Sequence, residues 1–190
     1  SNLRHNISQI KKFAPNSSIV AMVKANAYGH GIEHCAKILR EEGVEYLGFA
    51  FVDEAIEVRQ MGDNGKMIVL VSAQEDEIDK YLDYNIETTF SSFDIARLFA
   101  ERAKVRNHTV FAHLFVDTGM HRDGVAPGEA LKFIEKVEEL GNIQIIGICS
   151  HLSTADSDDL GFAWEQMELF NRTVEHIESK GYKFKYKHLS

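Results

Sequence analysis

A lysine at the end of an apolar stretch is the first candidate for chemistry. Residues 19–23 are apolar, and Lys24 follows them directly. An amine that is partly desolvated there loses its proton more easily and becomes a nucleophile of the kind that forms Schiff bases. The alternative is a surface lysine whose charged head reaches water. Gly29 and Gly31 precede a predicted helix, a common position for binding an anion, and the Tyr28 hydroxyl could donate to the same anion or the ring could simply pack.

Two later segments also carry polar residues after predicted strands. Arg122 could offer a fixed cation to an anionic ring oxygen or a carboxylate, or it could form a surface salt bridge with Asp117 or Asp123. His151 could stack on a planar cofactor or relay a proton, or it could be structural. Taken alone, these residue types do not decide between the two readings.

The elements that position these residues follow from the apolar pattern, which switches repeatedly between helical spacing and short strand-like runs. This alternation implies a parallel sheet covered by helices, either a (β/α)₈ barrel or an open doubly wound sheet. Seven consecutive βα units favour the barrel, in which chemistry gathers on the loops after the strands. We therefore predict an α/β chain, a TIM-type (β/α)₈ barrel truncated to about seven βα units over residues 1–190. Its strands are predicted at 19–23, 46–51, 66–71, 86–89, 110–116, 143–149 and 184–188.

Charge and cysteine content exclude several classes of protein. The net charge is −8, with 29 acidic against 21 basic residues, which argues against a nucleic-acid or membrane-surface partner. No apolar run is long enough to span a bilayer and no signal peptide opens the chain, so we expect a cytoplasmic protein. Cys35 and Cys149 have no metal-type spacing, as expected of free thiols in a reducing compartment. His30 and His34 lack a carboxylate at ligand spacing, so no metal site is predicted.

Three motifs, in order, resemble those of the alanine racemases. Residues 21–31 read AMVKANAYGHG and closely resemble the family's cofactor-lysine motif. Residues 116–122, VDTGMHR, resemble its second signature, and residues 147–156, GICSHLSTAD, its third. The resemblance covers essentially the whole chain. It implies a pyridoxal-phosphate enzyme with a (β/α)₈ barrel followed by a β domain, working as a homodimer.

The resemblance also implies roles for individual residues. Lys24 would bind pyridoxal 5'-phosphate as a Schiff base and serve as one of two proton-transfer bases. Tyr28 would contact the cofactor phosphate, Arg122 the pyridoxal phenolic oxygen, and His151 the pyridine ring. The implied reaction is the conversion of L-alanine to D-alanine, which supplies D-alanine for bacterial peptidoglycan.

The sequence departs from the family at the arginine site. The family usually has a lysine, often carbamylated, where this chain has Phe115, and an apolar residue where it has Asp123. Further family features would follow Ser190: the eighth strand, most phosphate ligands and the β domain with the opposite base. We therefore expect residues 1–190 alone to be inactive.

Three alternatives differ in substrate, reaction or catalytic ability. One is a racemase that also accepts serine. Another is a decarboxylase or single-domain barrel of the same cofactor fold, which residues 26–30 argue against because those proteins differ around the lysine. The last is a pyridoxal-phosphate-binding barrel without catalysis.

Overall fold

The computed structural model describes residues 2–189, and these residues form seven strands and eight α-helices. The strands are β1 (Val20–Met22), β2 (Tyr46–Phe49), β3 (Lys66–Val69), β4 (Glu87–Phe90), β5 (Val110–Phe115), β6 (Ile143–Ser150) and β7 (Tyr186–Leu189). The helices are α1 (Asn2–Phe13), α2 (Lys24–Tyr28), α3 (Ile32–Glu41), α4 (Val52–Gln60), α5 (Ile78–Tyr84), α6 (Phe93–Val105), α7 (Ala130–Leu140) and α8 (Gly161–Ser179). Short 3₁₀ turns at Glu75–Glu77 and Pro127–Glu129 lead into α5 and α7.

The chain divides into two compact units. The first contains residues up to Val71 together with Asp83–Glu87, and the second contains Ser72–Leu82 and the chain from Thr88 onward. Within the part of the chain that the structure describes, no helix is both long and apolar enough to cross a membrane.

The first unit is built on three parallel strands in the order β1-β2-β3. Val20 pairs with Tyr46, and Tyr46 in turn pairs with Lys66. All four residues of the middle strand β2 are buried. A parallel strand covered on both faces needs an apolar sequence, which is why an apolar run marks it.

The second unit holds four parallel strands in the order β4-β5-β6-β7. The register of β5 and β6 shifts after Ala112, so that His113 lies opposite Gly147. A Cβ on Gly147 would stand 2.4 Å from Nδ1 of His113, so the glycine provides the space for this buried ring. In both units, strands that follow one another in the chain are neighbours in space. A doubly wound sheet would show a reversal of strand order, and neither unit contains one.

Most predicted elements are present, with shifted ends. Every predicted strand has a counterpart, but the last one runs Tyr186–Leu189 instead of 184–188. The sequence pattern predicts Asp53 as the cap of a helix, but Phe51 is the N-cap of α4 and Asp53 lies inside the helix. Pro127, a residue typical of the first turn of a helix, belongs instead to the 3₁₀ turn that leads into α7.

Candidate functional site

Lys24 is the first residue of α2 and lies just beyond the end of β1. The preceding amide, that of Val23, donates to the carbonyl of Gly48 at 2.9 Å, which carries the pairing with β2 up to the lysine. Lys24 is half-buried, and its Nζ lies 5.9 Å from the centroid of the Tyr28 ring. No described residue forms a hydrogen bond or an ion pair with this amine. An amine that no described carboxylate engages is available to form a covalent bond with a ligand.

The residues after Lys24 form a left-handed helical turn. Ala25, Asn26, Ala27 and Tyr28 all have φ between +51° and +54°. The amide of Ala27 donates to the carbonyl of Val23, which repeats the i to i−4 spacing of a helix with the opposite hand. Left-handed geometry costs about 1–2 kcal/mol for each residue with a Cβ, so the turn stores roughly 4–8 kcal/mol of strain. Strain of this kind persists where surrounding structure fixes it, and it clusters at functional sites.

The two glycines after the turn do not provide the anion site that their spacing suggests. The amides of Gly29 and Gly31 both donate to the carbonyl of Asn26, at 3.1 Å each. The amide of Ile32, at the start of α3, donates to Oδ1 of Asn26 at 2.7 Å. These donors are already engaged within the segment. Tyr28, whose side chain is 59% exposed, remains as a candidate donor to an anion.

The loop that carries Arg122 is held by Asp117 in the second unit. Oδ1 of Asp117 accepts from the amides of Gly119 and His121 at 2.9 and 3.0 Å, and Oδ2 lies 3.1 Å from the His121 ring nitrogen Nδ1. Burial would raise the pKa of this carboxyl, but the hydrogen bonds and the nearby imidazole outweigh it and hold the pKa below its usual value. The Asp117 amide donates to the carbonyl of Val125, which closes the loop at its base.

Arg122 itself is exposed at the tip of this loop. It forms no hydrogen bond or ion pair with any described residue, so the alternative of a salt bridge to Asp117 or Asp123 is not realised. Asp123 instead accepts from Ser72 Oγ at 2.5 Å and from the amide of Gly124 at 2.8 Å. A guanidinium without an intramolecular anion is available to one on a ligand.

His151 is the first residue after β6, and its loop begins beside that of Arg122. The hydroxyls of Ser150 and Thr118 lie 2.7 Å apart, which joins the starts of the two loops. Lys24 and Tyr28 lie together in the first unit, and Arg122 and His151 lie on these joined loops in the second. The structure thus groups the four predicted residues into two pairs.

The comparisons with known proteins cover the chain from end to end. Residues 1–190 match the family model described as alanine racemase, N-terminal domain. This chain belongs to that family. An alanine racemase of Carboxydothermus hydrogenoformans is 37% identical over 187 residues, which are 98% of this chain and 50% of that protein. The chain therefore spans about half the length of the curated relatives it matches.

Solved structures of the alanine racemase family confirm the predicted fold. An alanine racemase of Clostridium difficile 630 matches 100% of this chain and 50% of its own, with a TM-score of 0.95 and 30% identity. The chain is similar also to a histidine racemase of Leuconostoc mesenteroides, with a TM-score of 0.90, 25% identity and 99% of this chain covered. The prediction of a TIM-type barrel truncated to about seven βα units is thus correct.

One buried residue of this alanine racemase-family chain was not singled out from sequence. Gln166 on α8 is 1% exposed, and its Oε1 accepts from the amide of Ser153 at 2.9 Å and from the Ser153 hydroxyl at 3.1 Å. Its Nε2 donates to the carbonyl of His151 at 3.1 Å and to Thr118 Oγ1 at 3.4 Å. The side-chain amide of Gln166 thus forms hydrogen bonds with both the His151 loop and the start of the Arg122 loop. The only sequence signal is its place on a segment where apolar residues from Ala163 to Ile177 recur at helical spacing, which indicates core packing.

Proposed function

We propose that this chain is the cofactor-binding half of a pyridoxal-phosphate-dependent racemase that interconverts L-alanine and D-alanine. The observation that carries the proposal is the match of residues 1–190 to the N-terminal domain of the alanine racemase family, together with a lysine at the motif position whose amine no described residue engages in a hydrogen bond or ion pair. That lysine, Lys24, begins a strained turn directly after the half-buried strand β1. The other two family motifs supply Arg122 and His151.

The residues present fit the cofactor. Lys24 has an amine that no described carboxylate engages, as a covalent bond to the cofactor requires. Tyr28 and Arg122 are exposed donors, one a hydroxyl and one a cation, suited to the phosphate and to the phenolic oxygen respectively. Electron withdrawal from the α-carbon of the substrate is the chemistry that the cofactor supplies when bound.

The protein's part in the reaction is to hold groups and to move protons. Lys24 would bind the cofactor and carry a proton to or from one face of the substrate α-carbon. Arg122 would orient the ring and hold its phenolic oxygen ionised, while His151 would pack against the pyridine face. The Asp117 and Gln166 hydrogen bonds keep the two loops in place for these roles. Racemisation needs a second base on the opposite face, which we assign to the rest of the protein.

The first test of the proposal is the identity of the lysine. In the full protein, borohydride reduction followed by peptide mapping is expected to place the pyridoxyl group on Lys24. Lys24→Ala should abolish racemisation, because it removes both the covalent attachment and one base. Lys37→Ala is the matched control, since Lys37 is exposed on α3 and should leave the activity unchanged. A pyridoxyl group on another lysine would contradict the assignment.

Arg122 provides a second test, on the other unit. Arg122→Ala in the full protein should lower kcat/KM more than tenfold, in keeping with about 1.5–3 kcal/mol for a charged hydrogen bond. Steady-state assays with alanine measure this directly. An unchanged rate would show that Arg122 is only a surface residue, as the Phe115 departure would allow.

The substrate and the setting of the enzyme are further parts of the proposal. We propose a cytoplasmic homodimer that supplies D-alanine for peptidoglycan. The histidine racemase among the structural relatives shows that this fold is also found in a racemase of another amino acid. A panel of alanine, serine and histidine, each assayed for racemisation, identifies the substrate. A preference for serine would favour the alternative of a serine-accepting enzyme, and no turnover with any amino acid would favour a binding protein.

A further inference from the structure

The left-handed turn after Lys24 is fixed by a carboxylate from outside it. Oε1 of Glu54, on α4, accepts a hydrogen bond from the amide of Ala25 at 2.6 Å. Oε2 of the same side chain accepts from the amides of Ala50 and Phe51, each at 3.2 Å. All of these residues belong to the first unit. One carboxylate therefore joins the turn after β1 to the segment between β2 and α4.

A helix cap alone does not account for this arrangement. A glutamate at the third position of a helix commonly reaches back to the N-cap amide, and the bond to Phe51 is of this kind. The bond to Ala25 is different, because it crosses 29 residues of sequence and is the shortest of the three. Hydrogen bonds from an amide to a charged carboxylate are shorter and stronger than neutral ones.

The position of the bond connects it to the candidate cofactor lysine. The amide of Ala25 belongs to the peptide plane that it shares with Lys24. Because that unit is planar, fixing the Ala25 N–H direction fixes the backbone orientation at the carbonyl end of Lys24. Ala25 is also the first of the four consecutive residues with positive φ. Without a contact that holds them, residues with a Cβ favour right-handed or extended backbone.

We propose that Glu54 is a positioning residue that holds the left-handed turn and thereby fixes Lys24 for covalent attachment of the cofactor. The part that concerns the cofactor rests on the function proposed above. The claim that Glu54 holds the turn is independent of that function, so the turn and the cofactor attachment are tested in separate experiments.

The turn is tested in the full protein without cofactor, by hydrogen exchange and mass spectrometry. In Glu54→Ala, amides of residues 25–31 are expected to exchange at least tenfold faster than in the parent protein. Glu54→Asp should behave in the same way, because it keeps the charge in the first turn of α4 but is one methylene shorter. Glu57→Ala is the matched control, an exposed glutamate on the same helix, and should leave the exchange unchanged.

An isosteric variant covers the case in which Glu54→Ala fails to fold. Glu54→Gln retains one acceptor oxygen and gains a donor, so it satisfies the Ala25 amide or the Ala50 and Phe51 amides but not both. Faster exchange is therefore expected in residues 25–31 or in residues 50–52. Unchanged exchange in both segments would overturn the proposal, and so would an equal increase in every peptide of the first unit.

Covalent attachment is tested by adding pyridoxal 5'-phosphate to the same variants and following Schiff-base absorbance. The attachment rate in Glu54→Asp should fall at least tenfold, with the borohydride-reduced adduct still on Lys24. If Glu54→Asp shows faster hydrogen exchange in residues 25–31 but an unchanged attachment rate, the proposal that Glu54 fixes Lys24 is overturned. If the adduct in the parent protein maps to another lysine, the proposed function fails, while the exchange result still decides whether Glu54 holds the turn.

Discussion

Replacement of Gln166 by leucine is expected to destabilise the second unit and loosen the His151 loop. Leucine has a similar volume but forms none of the four hydrogen bonds of the amide. Thr118 keeps the hydroxyl of Ser150 as a partner at 2.7 Å, whereas the amide of Ser153 loses the acceptor it has here. The carbonyl of His151 loses one donor as well.

The size of the effect follows from these losses. A buried polar group left unsatisfied costs about 1–3 kcal/mol. Ser153 and His151 are half-buried, so water reaches them in part and the lower end of that range applies to each. We expect the free energy of unfolding to fall by about 2 kcal/mol in Gln166→Leu, roughly 1 kcal/mol for each of the two groups.

Urea denaturation of the full protein followed by circular dichroism measures this difference. Gln144→Leu is the matched control, because Gln144 is exposed on β6 and its replacement should change stability by less than about 0.5 kcal/mol. Gln166→Glu adds a second measurement, since it sets a carboxylate oxygen against the His151 carbonyl. Its destabilisation should shrink as the pH falls and the carboxyl becomes a donor. The reasoning is refuted if Gln166→Leu is as stable as Gln144→Leu.

Two further predictions concern the same unit. Gly124→Ala should cost about 3 kcal/mol of stability, because φ is +116° and the new Cβ would lie 2.6 Å from the backbone nitrogen of Asp117. Gly128→Ala, whose new Cβ would meet nothing within 4 Å, should be neutral in the same urea denaturation experiment. Burial, together with the nearby His113, lowers the pKa of His188 from 6.5 to about 3. Between these two pH values the imidazole binds a proton in the unfolded chain but not in the folded one. The stability from this group is complete above pH 6.5 and is lost as the pH falls towards 3, by about 1.4 kcal/mol for each pH unit. His188→Gln should therefore give a shallower curve of unfolding free energy against pH, and parallel curves would contradict the assignment.

Strands β1, β2, β3, β5 and β6 could be predicted from sequence because each lies in a short, largely apolar run, whereas β4 and β7 contain more polar residues. Leu47 and Ile68 are completely buried, and no polar residue could replace them in a parallel sheet without losing its hydration. Strand ends were less accurate, because pairing with a neighbour decides where a strand stops. Tyr186–Leu189 follows the register of β6, which the sequence of the last segment does not contain.

The positions of the candidate residues after strands could be predicted from sequence, and their roles stay predictions. Lys24, Arg122 and His151 could be singled out because each follows a strand, where a βα barrel collects its chemistry. The left-handed turn was not predictable, since Ala25 and Ala27 carry no glycine-like signal for positive φ. The role of Gln166 could not be predicted either. Its side chain contacts Ser153 and Thr118, which precede it by 13 and 48 residues, and helical periodicity carries no information on such distant contacts.

The left-handed turn also changes which substitutions the chain should tolerate. On a right-handed helix alanine is the most favourable residue and glycine among the worst, but at Ala25 and Ala27 the backbone has the hand that a D-residue prefers. The usual ranking is therefore inverted, with glycine and asparagine accepted and β-branched residues rejected. In a saturation library scored by soluble expression, valine at either position should lower expression as much as proline does inside an ordinary right-handed helix. A D-alanine introduced there by chemical ligation would fit its mirror-image backbone without strain.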